Sequence, residues 1–315
     1  MKTVMAEELS SEEFFAFNTV NRVSAYTDDP TVLADVVALC AHYEHLFSRT
    51  RPDSQLARIN AAAGKPVAVE DELARFIEIA LSYCEESKGL FDITMGGVVR
   101  LWDFKAGVIP DKHAIEDALA HVGYRTVHVD GDSVRLDDPQ ATLDLGGIAK
   151  GYIADGLSRL LVSRGVKSGI VNLGGNVLVI GEKPDGAAWN VGIRMPAPSS
   201  AQGAESVFAT LAVRDSSVVT SGVYERAFSC GDELYHHILD PRTGFPAQTD
   251  IVSATIVSQT SIDGDGYTTA LVIMGLDEAL AFVESRPGIE AVFVTTEGAI
   301  YGTSAIGEDI PLHVR

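Results

Sequence analysis

Apolar residues recur every three to four positions at Val32, Val36, Leu39, Tyr43 and Leu46, a spacing that predicts a helix over 31–47. A second stripe through Phe76, Ile77, Ala80 and Tyr83 predicts another over 73–84. Between them, 48–60 is polar, carries Arg49, Arg51 and Arg58, and reads as a loop. Alternation marks 21–26 as an opening strand, and short apolar runs at 127–129 and 134–136 flank Asp130-Gly131 as a hairpin. Further strands are predicted over 168–172, 177–180, 189–194, 207–213, 218–221, 251–257, 291–294 and 299–301, with helices over 111–121 and 277–285 and a Pro/Ser/Ala-rich loop over 196–204. Segment 89–98 is an apolar, strand-like piece interrupted by Gly96-Gly97. Segment 235–244 reads as a strand entering a tight turn at Asp240-Pro241 and Thr243-Gly244. Elements mixed in this way define an α+β chain.

The 315 residues suffice for one large domain or two intimate lobes. A hydrophobic fraction of 46% and a charged fraction of 22% are those of an ordinary globular protein. The formal net charge of -20 argues against nucleic acid or an anionic membrane as a bulk partner, so an anionic ligand must be met by local positive groups. Cys40, Cys84 and Cys230 are far apart, which excludes a cysteine-rich zinc site and fits a reducing compartment. No apolar run approaches the ~20 residues that cross a bilayer. Residues 1–17 show no secretion signal, so a cytoplasmic protein, or a mature form with its leader removed, is expected.

Three stretches carry candidate chemistry. Segment 261–271 reads as a loop turning into a buried helix that reaches Met274, and in it Asp265 and Thr269 stand four apart on one helical face. Their hard oxygens suit magnesium, whose sites combine one or two protein ligands with substrate phosphates; a plain helix cap by Asp263 or Asp265 is the alternative. Tyr267 and the lack of a closing glutamate exclude an EF-hand loop. In 143–152, a strand, Gly146-Gly147 and Lys150 open a helix running to about Arg164, which is either a phosphate cradle or close helix–strand packing. Walker A spacing is absent. In 237–244, His237 and Arg242 are candidates for work on an anion; otherwise Asp240 and Arg242 stitch the turn and His237 is a satisfied core residue.

In order and wording these segments resemble the ApbE family, the FAD:protein FMN transferases. The resemblance rests on Phe91-Asp92-Ile93-Thr94-Met95-Gly96 with Leu101-Trp102, on Leu143-Asp144-Leu145-Gly146-Gly147-Ile148-Ala149-Lys150-Gly151 and on Asn172-Leu173-Gly174-Gly175-Asn176. It continues through Thr220-Ser221-Gly222, the highly specific His237-Ile238-Leu239-Asp240-Pro241-Arg242-Thr243-Gly244, and 265–270; with 52–60 it covers nearly the whole chain. It implies T-fold-related mixed sheets with flanking helices, FAD in a central cleft, and a single catalytic unit over 1–315. The implied reaction is magnesium-dependent transfer of FMN from FAD to a threonine or serine hydroxyl of an acceptor protein, releasing AMP.

By the same resemblance, Asp265, Thr269 and the Gly147 carbonyl hold the metal, Lys150 lies near the flavin nucleotide, and His237 acts as, or orients, the base for the acceptor proton. Gly174, Gly175 and Asn176 approach the nucleotide through backbone atoms, and Ser221 and Gly222 line the same cleft. Asp92, Thr94, Met95 and Arg242 belong to the FAD-binding set, with Tyr26 covering the flavin ring. The chain departs from the family pattern at Phe17-Asn18-Thr19, where Met-Gly-Thr is usual, and at Ile93, where proline is common; no segment resembles the acceptor motif. With water as acceptor the same site would be an FAD pyrophosphatase. A flavin-storage protein would not require Asp265, Thr269 and His237 together.

Overall fold

The expected strand at 21–26 is the second arm of an antiparallel hairpin, Leu9–Ala16 with Thr19–Tyr26. A computed structural model of the chain describes residues 9–194, 207–231 and 233–314; the loop expected over 196–204 lies outside the described residues. The hairpin is one edge of an eight-stranded antiparallel sheet. The sheet continues with Gly169–Leu173, Asn176–Ile180, Ser217–Gly222, Ile251–Ser258, Ile289–Thr295 and Ile300–Gly302. Asn176–Ile180 is buried at every position because both faces of the sheet are covered.

Helices Val32–Phe47, Asp71–Glu86, Ala149–Ser163, Ser261–Met274 and Leu276–Glu284 share the main core on one face. Both expected helical stripes point there: Val32, Val36, Tyr43 and Leu46 are buried on the first helix, and Phe76, Ile77, Ala80 and Tyr83 on the second. On the other face, a small sheet of Trp189–Arg194, Val207–Val213 and Leu312–Val314 packs Trp189, Ile193 and Leu211 against Val177, Val179 and Val218. A satellite core of Met95, Val98, Trp102, Ile115 and Leu239 supports the turn after His237, where Trp102 Nε1 donates to the Gly244 carbonyl at 3.0 Å.

Several local expectations change. Within 48–60, Gln55–Asn60 is a short helix capped by Ser54, whose hydroxyl accepts from Ala57 N at 3.0 Å. Segment 89–98 is a turn followed by the short helix Gly96–Val99: Asp92 Oδ1 accepts from Thr94 N at 2.8 Å and Thr94 Oγ1 at 2.6 Å, bending the chain. The strand expected before Gly146 shrinks to one bridge between Met95 and Thr142, because the Asn60 side chain satisfies Leu143 instead. It accepts from Leu143 N at 2.8 Å and donates to the Leu143 carbonyl at 2.9 Å.

Helix Ser261–Met274 organises the rest. It is helical from Ser261 onward, with no preceding loop portion, and most of its residues are buried. Glycines let its backbone come close to its neighbours: a Cβ on Gly264 would lie 2.5 Å from Val219, and one on Gly266 would strike the Tyr83 ring. Tyrosines fix the remaining contact with Asp71–Glu86. Tyr83 OH donates to Asp263 Oδ1 and Tyr267 OH to Glu86 Oε2, each at 2.6 Å.

Candidate active site at one end of the main sheet

Strand register decides which residues meet. Gly174-Gly175 is the two-residue turn between paired Leu173 and Asn176; its φ values of 59° and 100° are the left-handed ones such a turn demands. Val218 pairs with Val177, so Ser221 and Gly222 run past this turn at the same end of the sheet. Tyr26 lies elsewhere. Asn21 pairs with Leu173, whereas Tyr26 pairs with Leu9 and donates its N–H to the Ser168 carbonyl. The strand rise over the intervening residues puts Tyr26 roughly 17 Å from the turn.

Two helix N-termini meet here, and neither is capped by its own flanking side chain: Ile148 precedes Ala149–Ser163 and Thr260 precedes Ser261–Met274. They exchange carboxylates instead. Asp265 Oδ2 accepts from Gly151 N at 2.6 Å, while Asp155 accepts from Ser261 N at 2.7 Å and Ile262 N at 3.0 Å. Each thereby satisfies amides that a helix start leaves open on its neighbour. Asp265 therefore caps the other helix, not its own, and Asp263 accepts from Tyr83 and Thr260. Gly151 permits the exchange, since a Cβ there would lie 2.5 Å from the Ser261 carbonyl oxygen.

Burial raises the pKa of Asp265, while Lys150, the Gly151 amide and Asn176 favour its charged form. Asn176 is braced from the other side, its Oδ1 accepting from Ser261 Oγ at 2.8 Å. Ser221 Oγ donates to Thr268 Oγ1 at 2.8 Å, which ties the sheet end to the same helix. One turn beyond Asp265, Thr269 Oγ1 makes no hydrogen bond among the described residues. The exposed Gly147 carbonyl, one turn before Gly151, accepts none either.

His237 comes from the other side, at the end of the hairpin Ala227–Cys230 with Glu233–His236. Its backbone N–H donates to the Arg226 carbonyl at 3.0 Å, and its Nδ1 is buried without a partner among the described residues. Burial, reinforced by Arg226 and His236, pushes its pKa down to about 3, so the ring is a neutral base near pH 7. Lys150 acts electrostatically on His237, Asp265 and Glu225 alike. Glu225 is open to solvent, yet the surrounding protein raises its pKa against the pull of Lys150, Arg226 and Arg194. Lys150, Asp265, Glu225 and His237 thus share one electrostatic neighbourhood.

The remaining expected residues are engaged locally. Asp240 accepts from Arg242 N at 2.8 Å, Nε at 2.9 Å and Nη2 at 2.6 Å, so the turn is stitched as one alternative required, and the guanidinium is occupied there. Asp92 Oδ2 accepts from Tyr124 N at 3.0 Å, Thr94 Oγ1 accepts from Gly123 N at 2.8 Å, and Met95 packs in the satellite core beneath the His237 turn. Glu225 and Asp155 escaped sequence reasoning. So did the purpose of 48–60: Arg49 pairs with Asp144 at 2.9 Å and, with Asn60, holds the loop that presents Gly147.

Two recesses, about 520 Å³ beside Arg75, Tyr152 and Arg159 and about 670 Å³ beside Thr260, Tyr267 and Arg286, share none of the four grouped side chains. The polar chemistry, and neither of these recesses, marks the site. Among the described residues no three His, Cys, Asp or Glu side chains gather as a metal cluster. Asp265, Thr269 and the Gly147 carbonyl offer hard oxygens of the kind that could hold a cation that keeps water and substrate oxygens. No described helix is long and apolar enough to cross a membrane.

The ApbE family model matches residues 17–293. An FAD:protein FMN transferase of Treponema pallidum is 37% identical over 311 residues, covering 91% of this chain and 85% of that protein. One from Klebsiella pneumoniae is 37% identical over 275 residues, covering 86% and 84%. Among solved structures, the ApbE protein of Thermotoga maritima is similar at a TM-score of 0.86 and 30% identity, over 95% of this chain and 98% of its own. The apo flavinyl transferase ApbE of Pseudomonas stutzeri gives 0.84 at 27% identity, over 97% and 98%. With these likenesses the α+β fold and its polar sheet end define an enzyme of the transferase class. The chain belongs to the ApbE family.

Proposed function

We propose that this chain, acting as one catalytic unit, transfers FMN from FAD to a threonine or serine hydroxyl of an acceptor protein and releases AMP, with magnesium required. The observation that carries the reading is Asp265, fixed at the start of the Lys150 helix, with a Thr269 hydroxyl one turn on and a Gly147 carbonyl that have no hydrogen-bond partner among the described residues. Those three oxygens would hold magnesium, which when bound neutralises the diphosphate and the AMP leaving group.

Every other role falls to the chain itself. Lys150 supplies positive charge to a phosphate-bearing ligand in an otherwise acidic protein. The turn Gly174-Gly175 and the strand end Ser221-Gly222 offer backbone at close range to the nucleotide. His237, neutral at working pH, accepts the proton of the acceptor hydroxyl, or orients the base that does, as that hydroxyl's oxygen forms a bond to the FMN phosphorus. The bond from that phosphorus to the bridging oxygen breaks, and AMP departs with the oxygen.

The test is purified protein with FAD and magnesium, with and without a threonine-bearing acceptor peptide, followed by mass spectrometry. AMP together with a flavinylated peptide, and neither without peptide, is expected. AMP formed equally without peptide would make the protein a pyrophosphatase, and intact FAD in both arms would overturn the catalytic reading. Asp265→Ala is expected to abolish AMP release, and His237→Ala to suppress transfer while FAD remains bound.

A further inference from the structure

Asp155 touches none of the groups assigned above, yet its carboxylate holds the first two amides of the helix that carries Asp265 and Thr269. Asp265 in turn holds an early amide of the helix that carries Asp155 and Lys150. The helices cross through Gly151 at backbone contact, so little slack remains between the two bonded ends. Burial lifts the Asp155 pKa to about 6, against the two amides that favour its charge, so it is ionised above neutral pH.

We infer that Asp155 is a positioning residue for the metal-binding carboxylate: by anchoring Ser261 and Ile262 it fixes Asp265 against Gly151, and the two capping interactions stand or fall together. This rests on the proposed function only for its catalytic consequence; the mechanical coupling is a property of the apoprotein. Without Asp155 the first turn loses its anchor, and Asp265, in the next turn, loses its fixed distance to the partner helix. Residues that orient a metal ligand change metal affinity or activity by about 10–100-fold when removed.

The experiment compares wild type, Asp155→Ala and Asp155→Asn at pH 8. Amide hydrogen exchange is measured without metal, Mn2+ affinity by electron paramagnetic resonance, and fold integrity by thermal melting. Asp155→Ala is expected to exchange about tenfold faster or more at Ser261 and Ile262 and also at Gly151, whose own donor and acceptor atoms are untouched. It is further expected to bind Mn2+ about 10–100-fold more weakly. Asp155→Asn keeps one acceptor oxygen but sets an NH2 group against the second amide, so it is expected to show a smaller loss of both.

Faster exchange at Ser261 and Ile262 with wild-type exchange at Gly151, or wild-type Mn2+ affinity in a folded Asp155→Ala, overturns the inference. Should Asp155→Ala not fold, the Gly151 amide and Mn2+ affinity in Asp155→Asn decide, with wild-type values for both again overturning it. A wild type that binds Mn2+ but leaves FAD intact strikes the proposed function alone, since the exchange comparison is unaffected.

Discussion

Replacing Gly151 by alanine perturbs the site while leaving every charged group in place. The added methyl would stand 2.5 Å from the Ser261 carbonyl oxygen, 2.7 Å from Ile262 Cα and 2.8 Å from the Ser261 carbonyl carbon. All three are backbone atoms, so no rotamer change relieves them. Carbon contacts settle at about 3.5–4.0 Å, and the two helices must part by roughly 1 Å. The 2.6 Å bond from Gly151 N to Asp265 Oδ2 is then stretched out of hydrogen-bonding range. Overpacking costs about 1–3 kcal/mol, and losing a bond to a charged group adds about 1.5–3 kcal/mol. The gain in helix propensity over glycine offsets up to about 1 kcal/mol, leaving a net loss of about 2–5 kcal/mol, to be read from urea unfolding. Misplacing a reacting group by about 1 Å lowers rate by about a hundredfold, to be read as AMP release from FAD. Gly97→Ala is the control: the added methyl meets nothing within 4 Å, and its stability should stay within about 0.5 kcal/mol of wild type. A wild-type urea midpoint together with a wild-type rate for Gly151→Ala would refute the claim that this crossing fixes Asp265.

Thr269→Val removes a hydroxyl with no hydrogen-bond partner among the described residues, so urea stability should move by less than about 0.5 kcal/mol while the magnesium needed for half-maximal AMP release rises about tenfold or more; an unchanged magnesium requirement would remove Thr269 from the proposed metal set. His237 takes up its proton in the unfolded chain near pH 6.5 but in the folded protein only near about 3, so its stabilising contribution is full above pH 6.5 and is lost as pH falls. Wild-type stability should therefore fall faster than that of His237→Gln between pH 6 and pH 4, by up to about 1.4 kcal/mol per pH unit, and parallel curves would disprove the buried neutral imidazole. Trp102→Phe strands the buried Gly244 carbonyl and should cost about 1–3 kcal/mol in urea unfolding; a neutral substitution would mean that the indole bond does not hold the His237 turn.

The parts of this molecule that were legible in its sequence are those whose cause is local. The stripes through Val32 and Phe76 declare helices because burial on a helix must repeat with its turn. The Asp130-Gly131 hairpin follows from turn chemistry alone: Val127–Asp130 pairs with Ser133–Leu136. Asp265, Lys150 and Asn176 were legible through their motifs, and the fold brings all three to one place. Other features were set by distant partners. Asp155 looks like a solvated charge within an amphipathic helix, and only the docking of a much later segment gives it amides to hold. Glu225 follows Tyr224 in an unremarkable polar stretch, and its neighbours Lys150 and Asp265 arrive from two other helices. Tyr26 shows the converse case. Alternation identifies its strand but not which end of the sheet that strand's last residue occupies, and register with Leu9 and Ser168 puts it away from the Gly174-Gly175 turn. The helix Gln55–Asn60 is too short for a periodic stripe, so its capping serine was its main signal.

The bare crossing at Gly151 bears on how the chain matures. Interlocking side chains tolerate several offsets, whereas main chain lying on main chain has a single seat. Until the stretch beginning at Ser261 settles into that seat, against segments made well before it, Asp265 is not held against the helix that carries Lys150. A partly melted molecule in which this crossing is open consequently no longer holds Asp265 against Gly151.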